Sequence, residues 1–491
     1  MRKLLTLLAF WGMAMGAMGQ RDGFWVMGNN FYPNVDFAID FRSGTPDTVA
    51  IQKNMQTFLN FAQICDTNGA VLFYTDGRFI ANAKGDSMKN GVMVQSTMGN
   101  NNAIFQGALI LPYSYKTSNY HVFYETVNYV GNCNGGSDVE PFGIYHITID
   151  MDKDNGYGEV IDSQHSKVIE DTIIAGKLSA CKHANGKDWW VITHQSLNNT
   201  WVKLLMKDDT LFEKSYQAIG YIPDCGWDFN GQSVFNTDGK YFAVSGVDPN
   251  NKVFLLNFDR CNGDLSIAKI IQFPLPFNAS QGVSFSPNSK YLYIGTYGSN
   301  LWQYDILQDT LRLVGHVDNS RWDNMYLQQL APDGKIYICP SNSFKFLHVI
   351  SYPNMEGLAC GFDSAGFVLP SYNLTIPTFP NFNLGKLVGS PCDTLTVLNE
   401  TAPATKEKEI KVFPNPAAEY VTVDYGFTDW SKGDVDLEIT NGLGQAMHKQ
   451  QLPRYSGFQK IEVSDLTSGV YVVNIKRKGQ VVGAAKFGKN P

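Results

Sequence analysis

A polar turn followed by an aromatic, β-rich strand recurs along most of the chain, and this repeat constrains the fold more than any other feature. It reads Asp66-Thr67-Asn68-Gly69 before Val71-Leu72-Phe73-Tyr74, then Ala184-Asn185-Gly186-Lys187 before Trp189-Trp190-Val191-Ile192. It returns at 236–240 before Tyr241-Phe242-Ala243-Val244, at 286–290 before Tyr291-Leu292-Tyr293-Ile294, and at 331–335 before Ile336-Tyr337-Ile338. A less regular copy precedes Tyr120. Spacings of ~50 residues, with one longer interval, suit a four-stranded unit. A second element, a strand running into a polar turn, recurs out of phase with the first. Its copies are His146–Ile149 with the turn 150–158, Leu204–Met206 with 207–210, Leu255–Phe258 with 259–263 and Trp302–Tyr304 with 305–309. Turn, strand, strand, turn, strand is a meander written in one dimension, and such units bury their faces by stacking on one another. The expectation is an all-β chain with a multi-bladed β-propeller of six to eight blades, seven preferred. Strands at Phe24–Met27 and Asp36–Phe41 are expected to pair with the tail 367–387 and close the ring, which removes exposed sheet edges.

Composition fits that architecture. Of 491 residues, 44% are hydrophobic and 17% charged, enough apolar mass for a sizeable core. Aromatics at 13% and 45 glycines favour short strands and tight turns over long helices. The net charge of -7 carries no basic stripe outside the N-terminus, which argues against a nucleic-acid partner. Arg2 and Lys3, a mostly apolar run over 4–15 and the small-x-small site Ala17-Met18-Gly19 read as a cleaved signal peptide, residues 1–19. No later run approaches the ~20 apolar residues of a membrane helix, so no transmembrane segment is expected. Export permits disulfides, but the eight cysteines include no C-x-x-C pair and their connectivity stays open.

The last eighty or so residues differ in character. A polar linker at 393–409 ends in Lys406-Glu407-Lys408-Glu409, and after it Val435, Leu437 and Ile439 alternate as half-buried strands do. A small C-terminal β-sandwich is expected over 410–491, following a propeller over 20–392. Phe413-Pro414-Asn415-Pro416 opens this region, Leu466-Thr467-Ser468-Gly469-Val470-Tyr471 begins a late strand, and the chain closes on Lys486-Phe487-Gly488-Lys489. These motifs resemble the C-terminal sorting domain of type IX secretion cargo. The resemblance implies handling by that machinery through Pro414, Asn415, Pro416, Gly469, Tyr471, Lys486 and Lys489. It also implies passage through the periplasm and across the outer membrane of a Gram-negative cell, a secreted or cell-surface destination, and removal of the sorting domain near the linker. The stretches Cys65–Gly77, Lys182–Gly186 and Trp189–His194 resemble secreted bacterial propeller proteins, and Ser286–Gly295 is similar to turns of WD-repeat, lactonase-like and TolB-like propellers.

Chemistry is less marked. Asp150, Asp152 and Asp154 offer oxygens at alternate positions in the manner of a calcium loop. The glycine comes one place late, and Ile161 stands where the bidentate acid belongs, so the stretch reads first as a hairpin turn. His183 and His194 flank the Trp189-Trp190 strand without an acid or cysteine at ligand spacing. There is no G-x-S-x-G elbow, H-E-x-x-H helix or cofactor fingerprint, and no cofactor is expected. Trp201, Trp227, Tyr297 and Trp322 fall near expected loops, where aromatic rings beside Asn and Asp suit a glycan or a protein partner. Two readings follow. One is a surface binding or adhesion propeller. The other is a secreted lactonase-like or glycosidase-like hydrolase with its site in the central channel.

Overall fold

The computed structural model describes residues 20–28, 36–55, 57–94, 104–133, 136–162, 165–223, 231–246, 252–274, 280–296, 299–318, 324–392, 408–425, 435–441, 445–452, 458–477 and 480–490. The chain forms two compact units, 1–396 and 397–491.

The larger unit is a ring of meander sheets. Four of them have four strands each in sequential antiparallel order, beginning at Ser179–Lys182, Ser233–Phe235, Ser280–Phe285 and Leu327–Leu330. A nine-stranded sheet holds two further meanders, beginning at Ala62–Cys65 and Ala108–Pro112, joined where Glu159–Val160 runs parallel to Ser87–Val92. First strands of successive sheets lie side by side and form the wall of a central channel. Stacking explains the burial pattern. The second strands Trp189–His194 and Tyr291–Thr296 are buried at every position because both faces meet a neighbouring sheet, whereas the outermost strand Leu265–Gln272 is mostly exposed. This is a β-propeller.

Closure differs from the sequence expectation. Phe24–Met27, Phe37–Asp40 and Asp47–Ala50 pair only with one another, and Phe362–Asn373 pairs with Phe344–Ile350 in the last sheet. The ring closes by packing instead of a shared ladder: Trp25, Met27, Phe37 and Ile39 share one core with Leu327, Tyr337, Leu347 and Ile376. The tail then runs along Phe24–Met27 without a ladder to it. Gly28 donates its N–H to Asn373 Oδ1 at 3.0 Å, the rings of Trp25 and Phe379 lie 6.1 Å apart, and Thr378 makes a parallel bridge to Ala62. The tail therefore sits where the three-stranded sheet lacks an innermost strand.

The smaller unit has a five-stranded and a three-stranded sheet around one core that includes Val421, Leu437, Ile439, Val473 and Phe487. Asn415 ties its opening motif to its last strand: Oδ1 accepts the Gly488 N–H at 2.9 Å, and Nδ2 donates to the Lys486 carbonyl at 3.2 Å. Tyr471 stacks on Phe487 and donates its hydroxyl to the Thr467 carbonyl.

Candidate functional site: the two ends of the channel

One end of the ring carries the repeated turns, and their chemistry explains the repeat. In four copies the side-chain Oδ1 of Asn185, Asp238, Asn288 or Asp333 accepts the N–H two residues on. The residue between, Gly186, Gly239, Ser289 or Gly334, has a left-handed φ of 58–79°. An i to i+3 backbone bond closes each turn, from Gly186 to His183, Gly239 to Asn236, Ser289 to Ser286 and Gly334 to Ala331. An acceptor side chain next to a residue tolerant of positive φ is what such a turn requires.

The tail crosses this turn end. Asn381 Nδ2 donates to the Thr237 carbonyl at 2.8 Å, Phe382 packs on Trp189, and the Leu387 N–H bonds to the Ala184 carbonyl. Buried Arg260 latches it: Nε donates to Lys182 O at 2.9 Å, and Nη2 donates to His183 O and Gly385 O at 3.1 and 2.5 Å. A disulfide between Cys261 and Cys392 follows. Cys65, Cys181, Cys339 and Cys360 are free and buried. An open cleft of about 500 Å³ beside Leu387 is lined by Asp238, Lys240, Asp259 and Asp264. Its acids are committed, since Asp238 and Asp259 cap their own turns and Asp264 meets Lys203 at 3.3 Å.

Inside the channel, glutamine amides fill the bore. Gln106 Nε2 donates to Ser233 O at 3.0 Å while its Oε1 accepts the Ser233 N–H at 2.8 Å. Gln232 does the same across to Gln328, at 3.2 and 2.7 Å. The neighbouring wall strands are packed closely here, since a β-carbon on Gly282 would lie 1.9 Å from the Tyr326 carbonyl oxygen. The remaining cavity, lined by Ser179, Ser233, Gln328, Phe379 and Asn381 among others, is about 70 Å³. That holds a few waters, against the ~300 Å³ or more of a small-molecule site.

The far end is built differently. Glu125 is fully buried in the strand Asn119–Cys133, and neither carboxylate oxygen has a hydrogen-bond partner. Desolvation pushes its pKa well above the carboxylate range, opposed by the charge of Lys177. Lys177, also buried, donates to the carbonyls of Ser245 and Gly231 at 2.8 and 3.2 Å. His194 ends its strand at this side. Nδ1 donates to Gln195 O at 2.7 Å, Nε2 is buried without a partner, and desolvation lowers the pKa to about 4. The Trp201 indole lies edge-on to His194 at 4.5 Å with Nε1 unpartnered.

Several sequence expectations are corrected or relocated. Trp201 is not a loop aromatic: it is fully buried in Thr200–Lys207, because the strand starts one residue before it and turns its ring into the core beside Phe242. Trp227, Tyr297 and Trp322 lie outside the described residues. Asp150 accepts Lys116 Nζ at 2.8 Å and the Asp152 N–H at 3.0 Å, the same turn role that Asp259 and Asp305 play in other repeats. Asp152 accepts from Ser118, and Asp154 is exposed in a 3₁₀ turn. Among the described residues no three His, Cys, Asp or Glu side chains are placed to hold a metal ion. His183 anchors a turn, with Nε2 bonded to the Cys261 carbonyl and Nδ1 accepting the Asn185 N–H. Of the sorting-signal residues, Pro414, Asn415, Pro416, Gly469 and Lys486 are exposed, whereas Tyr471 and Lys489 are buried. Glu125 and Lys177 went unflagged, although each is the lone charge in an apolar run: Tyr120–Val130 for one, Ile173–Ala180 for the other.

The larger unit is thus a propeller with one strapped end and one polar end, and the smaller unit belongs to a known class of export signal. Residues 411–487 match the family model of the secretion system C-terminal sorting domain, which marks the chain for export to the cell surface or for secretion. No curated protein matches the chain significantly. Solved structures similar to it include a candidate 6-phosphogluconolactonase from Bacteroides uniformis, at 11% identity and TM-score 0.39, covering 89% of this chain and 98% of that one. A periplasmic gluconolactonase of Pseudomonas aeruginosa is similar at 11% identity and TM-score 0.37, covering 89% and 98%. The propeller domain of Cps50 (Swd1) from Myceliophteria thermophila is similar at 10% identity and TM-score 0.39, covering 65% and 90%. Likeness at this level says nothing of activity. Among the described residues no helix is long and apolar enough to cross a membrane.

Proposed function

We propose that this exported propeller, with seven blades, is a surface binding protein that engages a ligand at the far end of its ring without turning it over. The observation that carries the reading is the contrast between the ends. At the turn end Asn185, Asp238, Asn288 and Asp333 close turns and Arg260 ties the strap, leaving Asn119 Oδ1 and Asn236 Nδ2 as buried atoms without partners, whereas at the far end both carboxylate oxygens of Glu125, His194 Nε2 and Trp201 Nε1 are buried without partners. Buried polar groups are normally paired, and exceptions concentrate at functional positions. The rival hydrolase reading would need a reaction space in the bore, where about 70 Å³ leaves room for water alone.

The test is a screen of the mature chain against glycan and surface-protein arrays, run beside esterase, lactonase and glycosidase substrates. Binding without turnover is expected. Trp227→Ala or Trp322→Ala should weaken it roughly thirty-fold, as loss of a desolvated aromatic anchor does, with melting temperature unchanged. Turnover of any of those substrates would reverse the reading. For export, a chain ending at 409 should accumulate, folded, in the periplasm, and normal surface delivery of that truncation would contradict the role given to the sorting domain.

A further inference from the structure

We propose that the Cys261–Cys392 disulfide is a redox lock on the outer half of the strap, residues 383–392. Oxidised, it holds this segment across the turn end. Reduced, it lets the segment lift away from the turns and the cleft beneath while the ring stays closed.

The strap has two halves held in different ways. Residues 373–377 are buried, Thr378 bridges Ala62, and Phe379 and Phe382 pack on Trp25 and Trp189. Apolar packing thus fixes the inner half. Past Phe382 the character changes: Asn383 and residues 385–389 are exposed, while Leu384 reaches the core that includes Trp190, Phe242 and Leu265. The outer half is tied to the turns by polar contacts, the Leu387 N–H to Ala184 O and Arg260 Nη2 to Gly385 O at 2.5 Å. Such bonds contribute little net of the water they displace, and ordering an exposed segment costs entropy at every residue. A covalent bond from the end of the segment to the neighbour of Arg260 keeps it close to its seat and shifts that balance toward the docked form.

The seat is shaped for the segment. A β-carbon on Gly186 would lie 2.4 Å from Lys386 N, and one on Gly239 would lie 2.9 Å from Leu384 Cδ2. One on Gly334, at the same turn position in the last sheet, would meet nothing within 4 Å. Lifting the segment also takes Leu387 out of the wall of the 500 Å³ cleft, above Phe258 and Leu265. The lock is reachable, because Cys261 and Cys392 are half-buried whereas Cys65, Cys181, Cys339 and Cys360 are buried thiols. Export puts the chain where disulfides persist, and accessible ones are those that external thiols reduce. A dithiol supplies the two electrons. Its thiolate attacks one sulfur, and the S–S bond breaks to a mixed disulfide and one cysteine thiolate. Its second sulfur then closes the reagent's own disulfide and releases the other cysteine, and the two protons the dithiol gave up end on Cys261 and Cys392.

The experiment is hydrogen exchange and limited trypsin digestion of the full chain, oxidised and after dithiothreitol, beside Cys261→Ser/Cys392→Ser. Reduction should raise exchange at 383–392, 183–187 and 238–240 and leave 374–382 unchanged. Cleavage between Lys386 and Leu387 should speed up about tenfold or more, as for a bond reached by local opening. Oxidised glutathione should restore both. The double variant should match the reduced chain with or without dithiothreitol, which separates this bond from any other action of the reagent. Unchanged exchange and cleavage on reduction would mean that Arg260 and packing hold the strap unaided, and would overturn the proposal. Loss of the cooperative melt, or opening of 374–382, would overturn it too, since the bond would then be a staple of the ring itself. Should the double variant not fold, the reduced and reoxidised wild type still decide between these outcomes.

Discussion

The two ends of the ring are made from the same strands and differ in how their polar groups are spent. At the turn end the repeat signature is a structural device: Asn185, Asp238, Asn288 and Asp333 each close their own turn, and Arg260 ties two of those turns to the tail. At the far end Glu125, His194 and Trp201 hold buried polar atoms without a hydrogen-bond partner. Regularity in this chain marks what holds the ring together, and departures from it mark where a ligand is expected.

The largest effect that sharpens this contrast is removal of residues 20–50. Trp25, Met27, Phe37 and Ile39 cover the core face formed by Leu327, Tyr337 and Leu347. Exposing roughly 400 Å² of apolar surface at ~25 cal/mol per Å² costs about 10 kcal/mol, comparable to the whole stability of a domain. The truncated chain should be insoluble, and a soluble form with a cooperative melt would mean that the first sheet is only an extension. Next comes Arg260→Ala, which strips the carbonyls of Lys182, His183 and Gly385 of their donor. Denaturant unfolding should register a loss of about 4 kcal/mol, with ligand affinity untouched. An affinity loss as large as the stability loss would break the division between the ends.

Acid should act through histidines. His146, bonded to His121 at 2.9 Å, and His194 both have pKa values lowered by desolvation to about 4. The unfolded chain binds these protons near pH 6.5 and the folded chain only near pH 4. Stability is therefore intact above about 6.5 and falls as pH drops toward 4, by about 3 kcal/mol for each histidine. Asp22, raised to about 6 by burial, works in the opposite sense over the lower part of that window. Unfolding curves at pH 7 and pH 4.5 should converge in part for His146→Phe, and an unchanged pH slope would show that His146 titrates normally. The smallest effect belongs to the other unit. Asn415→Ala, which loses two exposed hydrogen bonds to the last strand, should cost about 1 kcal/mol by thermal melt.

The meanders were legible because the turn chemistry is local: Asp238-Gly239-Lys240 announces its geometry in three residues. The sorting domain was legible for the same reason, and the structure explains its motifs, since Asn415 caps the last strand and Tyr471 stacks on Phe487. Ring closure was not, because contacts such as Trp25 with Phe379 join residues over three hundred positions apart with no shared ladder. Trp201 was misplaced because a tryptophan one residue inside a strand looks the same in sequence as one just outside it. Glu125 and Lys177 could have been found as lone charges in apolar runs, but which end of the ring they occupy depends on strand direction, which sequence leaves open.

Hydrogen–deuterium exchange of the mature chain, with and without the best binder from the arrays, tests the central claim most directly. Protection should appear at 104–108, 176–180 and 191–195, with the turns 183–187, 238–240, 288–290 and 333–335 unchanged. Protection confined to those turns would contradict the account.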